Sequence, residues 1–342
     1  MSGKNIGNLK VLGICGGQGA LLFPFRKNLI GNIEPRGVFH SIAEKQWTLN
    51  FGKIPFLREF DPNLPHPNVI LGSPDCGASS IMRLSKVKKL GKPEKNASLN
   101  LMIQAILHYQ PEYFLIENLP RLLDLIPKDN WESIFSDYTL IYHCHSVMEF
   151  GNSQASRKRL IIIGIKKDLQ RNKKFFEKIF RIKEPKLARN LLEAAYFKGN
   201  NHNYMPPLNK ILAMYDYRLL PVKINLNVAQ VHKLWMSDFK DEKKWPIKTK
   251  KMSTLPGVYR LEEDKYPLTV RPADRQFRPD GYPLGIQDYK NIMGFPKRFK
   301  IFMDFDHYEY WLNKARYTLN KGSVYEVGLW FKKCLSQSVK SC

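Results

Sequence analysis

Short apolar runs alternate with polar and helix-like stretches between Leu9 and Ile165. Runs of this kind are typical of strands that a parallel sheet buries on both faces, under crossover helices. The strands predicted in this way are Lys10 to Ile14, Gly37 to Ile42, Asn68 to Leu71, Tyr113 to Ile116, Thr139 to His143 and Leu160 to Ile165. This half of the chain therefore indicates an α/β domain.

Apolar residues at helical spacing predict helices in three other places. Leu99 to His108 forms one such pattern, and Pro111 ends it. Ile286 to Met293 and Val324 to Leu335 carry similar patterns near the C-terminus. We expect the last of these helices to pack back on the first half of the chain.

The region from about Lys167 to Lys265 lacks these patterns and contains long charged runs, which predicts a smaller, irregular domain. We therefore expect three segments. They are residues 1–166 for the first domain, 167–265 for the small domain and 266–342 for a segment that completes the first domain.

The composition suggests a globular protein with a polyanionic partner. The chain has 342 residues, 43% of them hydrophobic, but no apolar stretch of about 18 residues that would cross a bilayer. Met1 to Lys10 lacks the apolar segment of a secretory signal, so we expect a cytoplasmic protein with no membrane partner. Lys and Arg exceed Asp and Glu by 55 to 31, a formal charge of +24. Such an excess favours nucleic acid, although a merely basic protein or one bound to an anionic membrane surface remains an alternative.

Five cysteines are spread along the chain without C-x-x-C spacing. Their odd number and spacing argue against a disulfide framework and against a structural zinc site, and we expect no metal. The pattern still allows one of them to be a reactive thiol. The cysteines are Cys15, Cys76, Cys144, Cys334 and Cys342.

A glycine-rich turn follows the first predicted strand in "VLGICGGQGA", with Gly16, Gly17 and Gly19. Glycines there let the backbone approach a nucleotide at the carboxyl end of a strand. Glu44 stands just past the next predicted strand, where a carboxylate can accept hydrogen bonds from both ribose hydroxyls. Asp61 stands after a third segment and is a candidate to accept a hydrogen bond from an adenine amino group. Each acid taken singly also fits a solvated loop.

Cys76 ends a strand in "VILGSPDCGASS", within a turn built from Gly72, Pro74 and Gly77. This position exposes a sulfur at the ligand edge of the sheet. A lone cysteine is more often a buried structural residue, so other features must identify it as a nucleophile.

Polar side chains also follow the next predicted strands. Glu117 and Asn118 come directly after Tyr113 to Ile116. A carboxylate next to a buried strand is costly unless it has a polar partner. Arg157 and Arg159 precede Leu160 to Ile165. At a spacing of two, their guanidinium groups project from the same side of an extended chain and suit a phosphate or a carbonyl oxygen.

The order of these features resembles the DNA cytosine-5 methyltransferase family. The resemblance covers Val11 to Ile165 and resumes in "LTVRPADRQFR", "IMGFPKRFKIF" and "RYTLNKGSVYEVGLW". It implies a Rossmann-like S-adenosylmethionine-dependent methyltransferase domain with a mixed, mostly parallel sheet. It also implies that the unmatched middle region is a small target-recognition domain.

The resemblance implies a mechanism as well. The Cys76 thiolate adds to carbon 6 of a flipped-out cytosine, and carbon 5 then accepts the methyl group. Glu117 bonds ring nitrogen 3 and the exocyclic amine, and Asn118 holds the loop. Arg157 and Arg159 hold the cytosine carbonyl or its phosphate and lower the pKa of the thiol.

The same resemblance assigns the residues that hold S-adenosyl-L-methionine. They are Ile14, Gly16, Gly17, Gly19, Glu44, Asp61, Pro74, Lys321 and Ser323. The sequence departs from the family at several of its motifs. Asp75 replaces the proline before the nucleophile and would raise the pKa of the thiol, and Gly77 replaces a glutamine. Ile14 replaces a phenylalanine, and Lys321 with Gly322 replaces Gly-Asn, which leaves a modified or more acidic donor open.

We therefore expect a monomeric enzyme of prokaryotic or viral origin that acts on double-stranded DNA, with a restriction-modification system as one setting. A tRNA cytosine-5 methyltransferase with the same catalytic residues remains an alternative. So does a catalytically inactive relative that binds DNA and cofactor.

Overall fold

A computed structural model gives the structure of the protein. It describes residues 8–35, 40–59, 61, 64–75, 97–192, 258–267, 269, 275–277, 284, 286–301 and 324–340. The chain divides into two compact units. The first contains residues 1–151, 157–183 and 323–342, and the second contains residues 152–156 and 184–322. These bounds differ from the predicted ones chiefly because residues 266–322 belong to the second unit.

A seven-stranded sheet forms the centre of the first unit. Its strands are β1 Val11–Ile14, β2 Leu29–Ile33, β3 Phe56–Leu57, β4 Val69–Gly72, β5 Tyr113–Asn118, β6 Tyr138–Ser146 and β7 Lys158–Lys166. The order is β3-β2-β1-β4-β5-β7-β6. Strands β1 to β5 pair in parallel, whereas β7 is antiparallel to both β5 and β6. The predicted mixed, mostly parallel Rossmann-like sheet is thus confirmed.

Uninterrupted apolar sequence explains the central strands. Every residue of β1, β4 and β5 is buried, as expected for strands covered on both faces. Glu117 and Asn118 are the last two residues of β5 and are buried with it. The sheet therefore carries two polar side chains into its core at one end of β5.

The helices of the described segments are α1 His40–Phe51, α2 Ala97–Tyr109, α3 Leu122–Leu125, α4 Lys128–Ile134, α5 Ile286–Ile292 and α6 Tyr325–Lys340. Short 3-10 helices span Phe23–Phe25, Val147–Phe150, Lys167–Phe175 and Ala188–Asn190. The three predicted helices correspond to α2, α5 and α6. Among the helices of the described residues, none is long and apolar enough to span a membrane.

The prediction of a strand from Gly37 to Ile42 is wrong. The second strand is Leu29–Ile33, and α1 begins at His40. Helix α1 forms because Ala43, Trp47 and Phe51, at a spacing of four, share one buried face. The true strand is inconspicuous in the sequence because Gly31 and Asn32 interrupt its apolar run.

Helix α6 packs within the first unit, as the sequence led us to expect. Its Trp330 and Phe331 are fully buried. Trp330 donates a hydrogen bond from Nε1 to the carbonyl of Lys178 at 3.2 Å, and Lys332 donates from Nζ to the carbonyl of Pro24 at 2.6 Å. The C-terminal helix is therefore anchored to segments from both ends of the domain sequence.

The second unit is described only in part. Strands β8 Val258–Arg260 and β9 Arg275–Phe277 form a two-stranded parallel sheet. The Ala188 amide donates to the carbonyl of Lys265 at 2.9 Å, which ties the two ends of the undescribed stretch 193–257 together. Most of the predicted target-recognition domain lies outside the described residues.

Candidate functional site

The strand order places a topological switch between β1 and β4, which are neighbours in the sheet. From this point β2 and β3 continue to one side, and β5 continues to the other. Open α/β sheets bind their ligands in the crevice outside the carboxyl ends of the strands at such a point. Because β1, β2, β4 and β5 are parallel, the turns that follow them lie at this one edge.

The glycine-rich turn after β1 presents open backbone to this edge. The Gly16 amide donates to Oδ1 of the buried Asn32 at 3.2 Å. A Cβ atom on Gly16 would lie 2.7 Å from the same oxygen, so a side chain there would displace Asn32. Gly17 has a φ of +55°, and a Cβ atom there would meet no atom of the described residues within 4 Å. The turn thus leaves space for a ligand at Gly17.

Glu34 directly follows β2 and points its carboxylate into this turn. Its Oε2 accepts a hydrogen bond from the Gly17 amide at 2.9 Å. Burial is the main cause that raises the pKa of Glu34 to about 7, and Asp75 adds to this, whereas the bonds from Gly17 and Asn32 oppose it. A half-buried carboxylate beside an open glycine turn suits the two hydroxyl donors of a ribose. Sequence reasoning missed Glu34 because its strand was placed eight residues too late.

Glu44 and Asp61 do not occupy the places predicted for them. Glu44 lies within α1 rather than after a strand, and its Oε2 pairs with Arg58 Nη2 at 3.1 Å on the surface. The main-chain carbonyl of Asp61 accepts a hydrogen bond from the hydroxyl of Tyr109, the last residue of α2. The first turn of α2, not its last, faces the glycine-rich turn, because Cys15 Sγ contacts the carbonyl of Ser98 at 3.6 Å.

Three strands contribute to a buried polar cluster centred on Glu117. Ser73, after β4, donates from Oγ to Glu117 Oε2 at 2.5 Å. Arg159, on β7, approaches Glu117 Oε1 with Nε at 2.7 Å. Glu117 is only 3% exposed and Arg159 only 15%, so the ion pair is largely removed from water. The antiparallel register of β5 and β7 places Glu117 opposite Ile161, two residues from Arg159.

A second set of bonds fixes the segment that leads to Cys76. Asn118 donates from Nδ2 to the carbonyl of Pro74 at 3.0 Å and accepts the Leu119 amide on Oδ1 at 2.8 Å. The Asp75 amide donates to Ser98 Oγ, in the first turn of α2, at 2.8 Å. Asp75 is the last described residue before Cys76, which lies outside the described residues, as do Lys321 and Ser323.

The structure brings seven of the fourteen predicted site residues together at one edge, and Ile14 and Arg157 are buried. Ile14 ends β1 with no exposure, and Arg157 is 2% exposed with its carbonyl accepting the Val147 amide at 2.9 Å. The predicted residues at the edge are Gly16, Gly17, Gly19, Pro74, Glu117, Asn118 and Arg159. Ser73, Asn32 and Glu34 join them without having been predicted.

The described cysteines differ in their capacity to act as nucleophiles. Burial, followed by the charges of Glu34 and Asp75, raises the pKa of Cys15 well above its ordinary value. Burial also raises the pKa of Cys334 to about 12. Both thiols stay protonated near neutral pH and are poor nucleophiles. Cys144 is exposed on β6.

Comparison with known proteins agrees with this geometry. The family model described as C-5 cytosine-specific DNA methylase matches residues 38–309. No curated protein is similar enough in sequence to count as a match. Several solved structures share the fold over nearly the whole chain.

One similar structure is described as a DNA modification methyltransferase encoded within a prophage, from E. coli. It has a TM-score of 0.62 at 16% identity, over 97% of this chain and 100% of that one. A methyltransferase of Entamoeba histolytica gives 0.58 at 14% identity, over 96% and 98%. The Dnmt2 methyltransferase of S. pombe gives 0.55 at 14% identity, over 98% and 99%.

Proposed function

Since the chain belongs to the C-5 cytosine-specific DNA methylase family, we propose that it methylates carbon 5 of cytosine in double-stranded DNA, with Cys76 as nucleophile. Membership of the family makes it an S-adenosylmethionine-dependent methyltransferase. The observation that carries the proposal is the buried cluster of Ser73, Glu117 and Arg159 beside the anchored segment that leads to Cys76. The cluster offers a carboxylate and a guanidinium group to a polar ring in a site removed from water.

Cys76 supplies the covalent step. Its thiolate forms a bond to carbon 6 of the cytosine ring, and the electron pair of the 5,6 double bond moves onto carbon 5. Carbon 5 takes the methyl group as the bond from that methyl to the donor sulfur breaks, which would leave a neutral thioether. Carbon 5 then loses its proton to a base, and the 5,6 double bond re-forms as the thiolate leaves. A base inside a duplex is out of reach, so the cytosine must leave the stack at a cost of about a few kcal/mol.

Glu117 and Arg159 orient and polarise the ring in this proposal. Glu117 bonds ring nitrogen 3 and the exocyclic amine, and so favours the protonated ring that addition of the thiolate requires. Arg159 holds the carboxylate in place and presents positive charge to the carbonyl of the base. Asn118 keeps Pro74 fixed, and the buried Arg157 adds positive potential that lowers the pKa of the Cys76 thiol.

The edge around Glu34 fits the adenosine part of the cofactor. The open space at Gly17 and the carboxylate of Glu34 match a ribose whose hydroxyl groups need acceptors. We assign this role to Glu34 rather than to Glu44, while Pro74, Lys321 and Ser323 remain proposed contacts. S-adenosylmethionine, when bound, supplies a methyl group on a sulfonium centre.

Double-stranded DNA is the proposed acceptor because the family is one of DNA methylases and the chain carries a formal charge of +24. Residues of the incompletely described second unit would read the target sequence. A tRNA acceptor uses the same chemistry and is distinguished by experiment.

The test is transfer of labelled methyl from S-adenosylmethionine to duplex DNA and, in parallel, to tRNA. We expect label at carbon 5 of cytosine in DNA, and its loss in Cys76→Ala. Cys144→Ala, which removes an exposed thiol from β6, is the matched control and should keep activity. Label on tRNA alone would show that the acceptor is tRNA and that the mechanism is the same. Binding of DNA and cofactor without any transfer would indicate an inactive relative.

A further inference from the structure

A strip of basic residues, residues 166–181, leaves the sheet at the edge opposite the candidate site. Strand β7 begins beside Glu117 and runs antiparallel to β5, so its last residue lies at the other end of the sheet. There the Lys166 amide donates to the carbonyl of Glu112 at 3.0 Å. The chain then returns, and the Ile182 amide donates to the carbonyl of Phe150, which follows β6, at 3.1 Å. The basic strip therefore spans the length of β7, about 30 Å at the rise of a strand.

The basic strip carries seven Lys or Arg residues and two acids, Asp168 and Glu177. Glu177 pairs with the half-buried Lys173 at 3.3 Å, and the strip as a whole carries five more cations than acids. The nearest acids outside the strip lie at its two ends. At one end the carbonyls of Glu112 and Asp137 accept hydrogen bonds from the Lys166 and Lys167 amides, and Glu184 follows the other end in sequence. The exposed cations recur every three or four residues and are Lys167, Arg171, Lys174, Lys178 and Arg181.

The backbone of the basic strip is held at several points along its length. Asn172 donates from Nδ2 to the hydroxyl of Tyr113 at 2.7 Å. The carbonyl of Phe176 lies 2.7 Å from His143 Nε2, and the carbonyl of Lys178 accepts the Trp330 indole at 3.2 Å. The cations are thus displayed on a fixed backbone, and a partner that binds them does not have to order a loose segment.

Aromatic rings of the strip contact one of its own cations and one cation of α6. Lys174 Nζ lies 5.2 Å from the centre of the Phe175 ring, and Lys333, on α6, lies 5.9 Å from that of Phe180. Within the basic strip, every residue of which is described, no apolar side chain is fully exposed. A surface that inserts into a bilayer needs exposed apolar side chains among its cations. The apolar side chains that reach the surface of the strip are only partly exposed, namely Leu169, Phe175, Ile179 and Phe180. The surface therefore suits a partner that binds chiefly through charge.

We propose that the basic strip binds the phosphate backbone of duplex DNA without regard to sequence, through cations that are not part of the catalytic cluster. Duplex DNA carries one charge per about 1.7 Å of axis, so a row of cations about 30 Å long faces many phosphates. Such a contact keeps the enzyme on DNA between target sites. The proposal rests on the proposed function for the identity of the polyanion.

The test measures how binding to a duplex of A·T pairs alone, which contains no cytosine, depends on salt. The full-length variant Lys167→Gln, Lys174→Gln, Lys178→Gln is compared with Lys10→Gln, Lys27→Gln, Lys53→Gln. The second variant loses the same charge from exposed lysines outside the strip. If each strip lysine contacts one phosphate, the slope of log K against log salt falls in magnitude by about 2 to 3. The control slope should change by less than about 1.

Equal slopes in the two triple variants would overturn the proposal, because bulk charge alone would then explain the change. Loss of binding to anionic phospholipid vesicles, with the DNA slope unchanged, would overturn it in favour of a membrane surface. Thermal unfolding checks that each variant is folded, and the single variant Lys174→Glu serves if a triple variant is not. Methyl transfer to a short duplex with a target cytosine is measured separately. If neither the parent protein nor any variant transfers methyl, the proposed function is wrong. The salt slopes would still test DNA binding by the basic strip.

Discussion

The carboxylate of Glu34 illustrates how position alone determines the chemistry of a residue. Burial raises its pKa from the ordinary 4.5 to about 7, although the Gly17 amide stabilises the charged form. Hydroxyl groups of a bound ribose would donate to the carboxylate and favour its charged form. Ligand binding and deprotonation of Glu34 are therefore linked.

At this residue we predict that S-adenosylmethionine binds more tightly as pH rises from 6 to 8. The reason is that the site must lose the Glu34 proton before the carboxylate accepts both hydroxyls. Isothermal titration calorimetry across this range measures the effect. Glu34→Gln should bind at least about tenfold more weakly, the loss of one charged hydrogen bond, and should lose the pH dependence. Glu44→Gln is the matched control, and a defect there equal to that of Glu34→Gln would contradict the assignment.

Asp75 supplies a second residue-scale prediction. Its charge raises the pKa of both Cys15 and Glu34, so it acts on groups at this edge. Replacement by Asn should lower the pKa of the neighbouring Cys76 thiol by about half a unit to one unit. The pH dependence of Cys76 alkylation measures this, in a Cys144→Ala background that removes an exposed thiol. Asp124→Asn, on α3, should leave the profile in place, and an unmoved profile in Asp75→Asn would refute the effect.

At the scale of elements, the strands with continuous apolar sequence were predictable and the others were not. Strands β1, β4, β5, β6 and β7 and helices α2, α5 and α6 follow directly from apolar patterning. Strand β2 escaped because Asn32 stands inside it, and Asn32 is tolerated there only because it binds the Gly16 amide. A tertiary contact therefore decided the secondary structure, and no local pattern reveals such a contact.

The same limit applied to the site. The order of motifs was enough to propose Glu117, Asn118 and Arg159, which follow or precede clear strands. Ser73 and Glu34 could not be chosen, because their importance comes from bonds to Glu117 and Gly17, distant in sequence. Because the second strand was predicted too late in the sequence, the ribose-binding role was assigned to Glu44. The apolar run that Gly31 and Asn32 interrupt could also have been considered as a strand. Glu34 follows that run directly and would then have been a candidate.

Helix α6 provides an element-scale prediction. A Cβ atom on Gly328 would lie 2.2 Å from the carbonyl oxygen of Leu21, so backbone must move to admit it. Although Gly→Ala within a helix is ordinarily favourable, Gly328→Ala should lower the free energy of unfolding by about 1 to 3 kcal/mol. Denaturant titration measures the change. Lys333→Ala, on the exposed side of α6, should change it by less than about 0.5 kcal/mol. A Gly328→Ala protein as stable as the parent would show that α6 does not approach Leu21 so closely.

At the scale of the whole molecule, several acidic groups have raised pKa values, so stability should fall as pH rises. Burial raises the pKa of Glu34 to about 7, of Tyr142 to about 12 and of Cys334 to about 12. The folded state holds these protons after the unfolded state has lost them, so unfolding releases protons and is favoured at higher pH. The contribution of Glu34 is lost between about pH 4.5 and about pH 7, and those of the thiol and the phenol are lost above about pH 9.

We therefore predict two declines in melting temperature as pH rises, one on the way to pH 7 and one above pH 9. Differential scanning calorimetry in buffers of matched ionic strength measures them. Glu34→Gln should flatten the first decline and leave the second, whereas Tyr142→Phe should reduce only the second. A first decline that persists unchanged in Glu34→Gln would assign it to another group.

Attack of Cys76 on a cytosine in DNA is tested best by trapping the covalent intermediate. A duplex with 5-fluorocytosine at the target position stalls the reaction after methyl transfer, because carbon 5 has no proton to lose. Intact mass spectrometry with S-adenosylmethionine should show the protein joined to one methylated duplex, and proteolysis should place the bond at Cys76. Cys144→Ala should form the same adduct and Cys76→Ala none. An adduct that persists in Cys76→Ala, or its absence from the parent protein while DNA and cofactor both bind, would show that Cys76 is not the nucleophile.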